Sequence, residues 1–206
     1  MSDTTPAGTL PEAPAAEPIP VFLEWFREAG ERGLPFADAF SLATAAPDGR
    51  PSVRVVLYKG LSEDGAVRFV TNFESRKARE LLANPHAAAV FFWPGLERQV
   101  RFEGTVAKAP EAESDRYFAS RDRESQLGAW ASDQSREIGA RAELEQSLAQ
   151  ERERWQGRSI ERPPHWGMFE LAPERVELWL GGAHRLHDRF LYERSGAGWR
   201  VARLSP

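Results

Sequence analysis

Apolar residues first recur along the chain with helical spacing. Val21, Phe22, Trp25, Phe26 and Ala29 fall on one side of a 3.6-residue turn, which predicts an amphipathic helix over roughly 20–32, ending near Gly30 or Gly33. The period then changes to alternation: segments 39–45, 52–58, 67–71, 87–93 and 98–108 read as strands, with turn signals at Pro47-Asp48-Gly49 and Asp64-Gly65. Short strands at such regular spacing predict an antiparallel barrel. Helices interrupt it. Ser75 is a good N-cap for a short helix over 76–82 that Asn84-Pro85 stops, and another follows Pro110, carrying Tyr117 and Phe118. A polar stretch from about Ser135 to Trp155 reads as a weakly amphipathic surface helix. Strands return at 168–171, 175–179, 189–194 and 199–204, so the fold class is mainly β with flanking helices.

Composition narrows this picture. Residues 1–19 are rich in Pro, Ala, Thr and Glu with almost nothing to bury, and a disordered or loosely held tail is expected there, with 20–206 as one domain. An apolar share of 41% over 206 residues suffices for one sizeable core. A net charge of −4 from 27 basic and 31 acidic residues gives no global attraction to nucleic acid or anionic membrane, so basic residues must act locally. With no cysteine, disulfides, thiolate metal sites and a cysteine nucleophile are excluded. The start Met1-Ser2-Asp3 lacks a basic, then apolar, leader, and no stretch approaches the roughly 20 apolar residues of a membrane span. A soluble, unexported, cytoplasmic protein is expected.

Three basic clusters carry the candidate chemistry. In Arg185-Leu186-His187-Asp188-Arg189, strand-like alternation would put Arg185, His187 and Arg189 on one face, where their mutual repulsion suggests an anionic or electron-accepting ligand; a solvated edge strand is the alternative. Arg54-Val55-Val56-Leu57-Tyr58-Lys59, followed by Thr71 and by Ser75-Arg76-Lys77 at a helix start, looks like an anion site, although a cap with exposed charges reads the same way. Tyr117, Arg121 and Ser125 are spaced by four, on one face if the helix continues, and a phenol, a guanidinium and a hydroxyl suit a second phosphate; a surface pair is the alternative. Gln99, Gln134, Ser135 and Trp179 could flank a flat polar ring system or be core and cap residues. His184 and His187 would point to opposite faces of a strand beside two arginines, so no metal site is expected. There is no G-x-S-x-G elbow, G-x-G-x-x-G or P-loop.

Ordered matches then extend from about Val21 to Pro206: Arg54 to Gly60, Thr71-Asn72 through Ser75-Arg76-Lys77, Glu97-Arg98-Gln99-Val100, Tyr117 to Arg121, Ser125 to Ser132, Gln134-Ser135, His165-Trp166-Gly167, Trp179 through Arg185 to Arg189, and Trp199 with Arg203 to Pro206. Over these stretches the chain resembles the pyridoxamine 5'-phosphate oxidase family. The resemblance implies a split β-barrel that binds FMN and works as a homodimer with two sites at the subunit interface. It implies that Arg54, Val55, Val56, Leu57, Tyr58, Lys59, Val70, Thr71, Arg76 and Lys77 line the flavin on one subunit, completed by Gln99, Gln134, Ser135, Trp179 and Arg189, some from the partner. Lys59, Tyr117, Arg121 and Ser125 would hold the substrate phosphate. Arg185 and His187, with Leu186 between them, would sit over the pyridine ring and its reacting carbon as the catalytic residues.

The implied reaction oxidises the C4' alcohol or amine of pyridoxine or pyridoxamine 5'-phosphate to pyridoxal 5'-phosphate. A hydride passes to the flavin and O2 reoxidises it to give H2O2. Three features depart from the family pattern. Residues 1–20 contain no Arg, Lys or Tyr where the family often has a basic, tyrosine-containing cover; Leu180 stands where Gln is common; and Met168 stands where Gly is common. A related split-barrel flavoenzyme with another substrate, such as a phenazine-pathway oxidase, and a non-catalytic FMN- or pyridoxal-phosphate-binding protein are the alternatives.

Overall fold

Helix α1 (Pro18–Glu31) opens the folded chain with proline in its first turn, where no backbone donor is needed. Its Phe22, Trp25 and Ala29 are buried at helical spacing. This computed structural model describes Leu10 and residues 12–206; residues 1–9 and 11 of the expected tail lie outside the described residues. Leu10, within that expected tail, is buried in the main core, and its N–H donates to Asp188 Oδ2 at 3.1 Å. Among the described residues no helix is long and apolar enough to cross a membrane.

Strands β1 (Ala39–Ala45), β2 (Pro51–Leu61), β3 (Val67–Asn72), β4 (His86–Trp93), β5 (Arg98–Lys108), β6 (Trp166–Leu180), β7 (Asp188–Ser195) and β8 (Gly198–Arg203) follow in the order β3-β2-β1-β4-β5-β6-β7-β8, all paired antiparallel. A further pairing of β3 with β6 closes the first six into a barrel. The two halves of β6 do different work: 166–171 pairs with β3, whereas 175–180 pairs with β7 and carries the β7–β8 extension. This is the split barrel that the resemblance implied. The alternation read from the sequence corresponds to these strands, and β1 and β5 have the expected bounds.

Phe22 of α1 enters the barrel among Phe91, Phe102 and Tyr58, with ring centroids 4.9, 5.1 and 5.5 Å away. Helices α2 (Arg76–Ala83), α3 (Glu111–Ser120), α4 (Arg123–Ala131) and α5 (Arg141–Arg154) lie outside. Phe118, Leu127, Ala129, Trp155, Ile160 and Trp166 form a second, smaller core beneath α3 and α4.

Four expectations need correction. The two strands expected at 168–171 and 175–179 are one, because a register shift opposite Glu103/Gly104 leaves Glu174 of β6 unpaired and lets the strand run on past Pro173. A Cβ on Gly104 would lie 2.0 Å from the Ala172 carbonyl oxygen, so only glycine fits that close approach. The surface helix begins at Arg141 rather than near Ser135, whose φ of +71° is not helical. The helix carrying Tyr117 ends at Ser120 instead of running on through Ser125: Asp122 accepts a hydrogen bond from the Ser125 N–H at 2.8 Å and caps a new helix. Finally, Arg185 is in a short 3-10 turn, Ala183–Arg185, with φ of +64°, so Arg185, His187 and Arg189 do not share a strand face.

Candidate active site

A cleft of about 1150 Å³ lies between β2, β3 and the start of α2 on one side and α3, α4 and the 132–135 segment on the other. Arg54, Val55, Val56, Leu57, Lys59, Val70, Thr71, Arg76, Lys77, Tyr117, Arg121, Ser125, Gln134 and Ser135 all line it. The β2 wall presents Val53, Val55 and Leu57, which are 67%, 64% and 42% exposed, an apolar surface unusual for a strand face open to water. Tyr58 does not join them. Strand alternation turns its ring into the barrel core, 8% exposed, and burial pushes its hydroxyl up to about 12.

One pole of the cleft is a built cationic group. Arg54 Nη1 donates to the Leu42 carbonyl at 3.0 Å and to Thr44 Oγ1 at 2.7 Å, while Nη2 donates to Ser52 Oγ at 2.5 Å and pairs with Glu80 at 3.4 Å. Glu80, on α2 and 7% exposed, accepts from Thr44 and Ser52 hydroxyls, both at 2.5 Å, and from Arg76 Nε at 2.8 Å. Burial alone would raise its carboxyl, but these hydrogen bonds from Ser52, Thr44 and Arg76 outweigh it and hold the group down at about 2. Lys77 Nζ donates to Gln134 Oε1 at 2.8 Å, Thr71 Oγ1 at 2.9 Å and Ser75 Oγ at 3.3 Å. Burial, and secondarily Arg54, lower it to about 8. Three cations thus converge at the N-terminus of α2, where unpaired N–H groups also favour an anion.

The other pole is Arg121. Its guanidinium stacks 4.7 Å over the Trp166 ring, which also lies parallel to Tyr117 at 9° and 6.3 Å. Arg121 Nη1 is buried with no hydrogen-bond partner among the described residues, and burial lowers the guanidinium's affinity for its proton. A buried charged donor without a partner is costly, and an anionic oxygen would relieve that cost. Lys59 Nζ meets Asp38 Oδ2 at 3.3 Å. Trp166 and Glu80 did not stand out as functional in the sequence, because an indole in a strand reads as core and a glutamate in a polar helix as surface charge.

The remaining candidates lie outside this cleft. Gln99, Trp179 and Arg189 are direct neighbours across β5, β6 and β7, forming one row. Arg189 Nε donates to Glu177 at 2.8 Å and Nη1 to the Ser205 carbonyl at 2.8 Å. The His187 ring packs 4.6 Å from Trp179, and Arg185 and Leu186 are exposed beside it. The candidate residues of one protomer therefore fall in two separate groups.

Residues 26–155 match the family model described as pyridoxamine 5'-phosphate oxidase, which is more than half of the chain. The chain belongs to the pyridoxamine 5'-phosphate oxidase family. Residues 166–206 match that family's second model, the pyridoxine 5'-phosphate oxidase C-terminal dimerisation region, so the row on β5–β7 and the 181–187 loop fall largely within it. The pyridoxine/pyridoxamine 5'-phosphate oxidase of Rubrobacter xylanophilus is 53% identical over 98% of this chain and 93% of its own length, and that of Rhodospirillum rubrum is 49% identical over 92% and 96%. Among solved structures, PhzG from Burkholderia lata 383, in complex with tetrahydrophenazine-1-carboxylic acid, superposes with a TM-score of 0.90 at 32% identity, covering 97% of this chain and 98% of that one. A pyridoxamine 5'-phosphate oxidase-related, FMN-binding protein from Nostoc punctiforme shares the fold with a TM-score of 0.74 at 21% identity, over 93% and 100%.

Proposed function

We propose that this chain is an FMN-dependent oxidase, acting as a cytoplasmic homodimer, that converts pyridoxamine 5'-phosphate and pyridoxine 5'-phosphate to pyridoxal 5'-phosphate. The observation that carries this reading is the pair of anion-ready poles in one cleft, with Arg121 Nη1 buried and unpartnered opposite the Arg54–Arg76–Lys77 group. A flavin phosphate fits the second group, whose charges surround a helix N-terminus. A substrate phosphate fits Arg121, flanked by Tyr117, Ser125 and Lys59.

In this reading Val55 and Leu57 form the apolar wall for the flavin ring, Val56 between them packs against the main core, and Gln134 and Ser135 close the phosphate end. Gln99, Trp179 and Arg189 would reach the cleft from the partner protomer together with Arg185 and His187. Bound there, FMN would supply the acceptor for the hydride leaving C4' and the route for those electrons to O2, with H2O2 as the product. The chain's own contribution is to fix the substrate at its phosphate end and to orient the C4' group through Arg185 and His187. The close superposition on PhzG supports one other reading, oxidation of a reduced phenazine carboxylate. The arginine set against Trp166, with a phenol and a hydroxyl beside it, favours a phosphate instead.

Anaerobic mixing tests the proposal. Purified yellow protein should bleach with either pyridoxamine 5'-phosphate or pyridoxine 5'-phosphate, and admission of O2 should restore the colour with one H2O2 per flavin. Bleaching by a reduced phenazine carboxylate but by neither vitamer would overturn it.

A further inference from the structure

The loop from Gly181 to His187 joins β6 to β7 in a turn with little freedom. A Cβ on Gly182 would lie 2.1 Å from the Leu186 carbonyl oxygen. The Leu186 N–H donates to the Ala183 carbonyl at 3.0 Å, and His184 and Arg185 are both left-handed, with φ of 56° and 64°. Left-handed backbone is unfavourable for residues that carry a Cβ, so the turn is held by its surroundings. One result is that the Gly182 N–H donates to His187 Nδ1 at 3.2 Å. The ring is further braced by Trp179 at 4.6 Å.

A backbone N–H only donates, so Nδ1 must present its lone pair. A neutral imidazole with the lone pair on Nδ1 carries its hydrogen on Nε2. The neighbouring carboxylate that could have held an Nδ1–H is otherwise engaged: Asp188 accepts from the Leu10 N–H at 3.1 Å and pairs with Arg203 at 3.1 Å. We propose that the loop locks His187 as the Nε2–H tautomer, so that His187 serves the substrate as a hydrogen-bond donor and not as the base that removes a proton from the C4' group. Gly182 is then a positioning residue. Arg185, a guanidinium with donors and no acceptor, is exposed beside it on the same loop, so these two side chains together offer donors alone. The group it fits is an anionic or electron-rich oxygen on an aromatic ring, and charge on that oxygen is stabilised without a proton changing hands. This inference rests on the active-site reading above, but its primary test does not.

Long-range proton–nitrogen NMR on flavin-loaded protein with labelled histidine reads the tautomer directly. The four histidines are few enough to assign with His187→Gln as a blank. Near neutral pH, His187 should show a bare Nδ1 and a protonated Nε2, and in Gly182→Ala the signature should relax towards a mixture. An Nδ1–H tautomer overturns the proposal, whether or not the protein turns over either vitamer. Activity gives the second arm. Gln can place an N–H near the Nε2 position, whereas Glu can only accept, so His187→Gln should stay within about tenfold of wild-type kcat/KM and His187→Glu should lose about 100-fold or more. Equal losses, or the reverse order, would eliminate the donor role. If neither vitamer bleaches the wild type while the Nε2–H signature is present, the substrate assignment is at fault and the tautomer lock stands.

Discussion

Arg121 bears the cost of its own burial until a ligand arrives, since Nη1 is enclosed against Trp166 with nothing to donate to among the described residues. Arg121→Met should therefore leave the free protein no less stable, and should cost about ten- to 150-fold in kcat/KM for the phosphorylated substrates, the equivalent of about 1.5–3 kcal/mol for a charged hydrogen bond. Unphosphorylated pyridoxine, which lacks the contact, should be turned over as before, with normal flavin content; equal losses on both substrates would show the pole to be misassigned. Lys77 gives a pH signature. Burial holds it at about 8 in the free protein, so an anion bound beside it is favoured by the protonated form present below that value. FMN affinity should fall as pH rises through 8, and titrations of Lys77→Met should show weaker binding with that slope removed. An unchanged slope would place the titration elsewhere.

At the scale of elements, the N-terminal segment is more than a tail. Leu10 is 8% exposed in the main core and its N–H holds Asp188 at the start of β7. Leu10→Ala should cost about 2 kcal/mol, or about 4–8 °C in Tm. An unshifted melting curve would contradict that docking. Strands such as β1 and β5 were legible because they bury one face, and a period of two survives in Phe40-x-Leu42 or Val100-x-Phe102. The boundaries that were misread depend on competing local chemistry. Asp122 captures the Ser125 N–H and ends a helix that spacing alone would prolong, while Ser135 takes a positive φ that periodicity cannot signal. The sequence pattern breaks between 171 and 175, and only a bulge in β6 itself, with Glu174 left out between the Gly104–Pro173 and Glu103–Arg175 pairs, lets the strand continue past Pro173. Of the candidate residues, those on β2, β3 and α2 and around Arg121 do meet in one cleft, Tyr58 excepted. Glu80 was invisible because its burial is a property of the packed helix and not of its own segment.

At the scale of the whole molecule, the two separate groups of candidate residues on one protomer lead to a complementation experiment. Arg54→Met should disable the cleft and Arg185→Met the loop proposed to complete the partner's cleft, so each homodimer should be nearly inactive. In a mixed dimer one site would carry both substitutions and the other neither, and exchange of subunits should restore about half of wild-type activity per mixed dimer. Mixed dimers confirmed by mass but without recovered activity would show that one chain supplies both groups. The closure of the barrel has a consequence for how the chain is made. β3 finds its second neighbour only in β6, through contacts such as Arg68 with Glu170, 102 residues apart. Until that late segment emerges during synthesis, one edge of β3 stays unpaired, and long-range closures of this kind are slow steps that expose aggregation-prone edges. A chain ending before residue 166 should accordingly collect in inclusion bodies, and refolding of the full chain should be rate-limited by docking of β6, visible as β3 and β6 amides gaining protection from hydrogen exchange together and last.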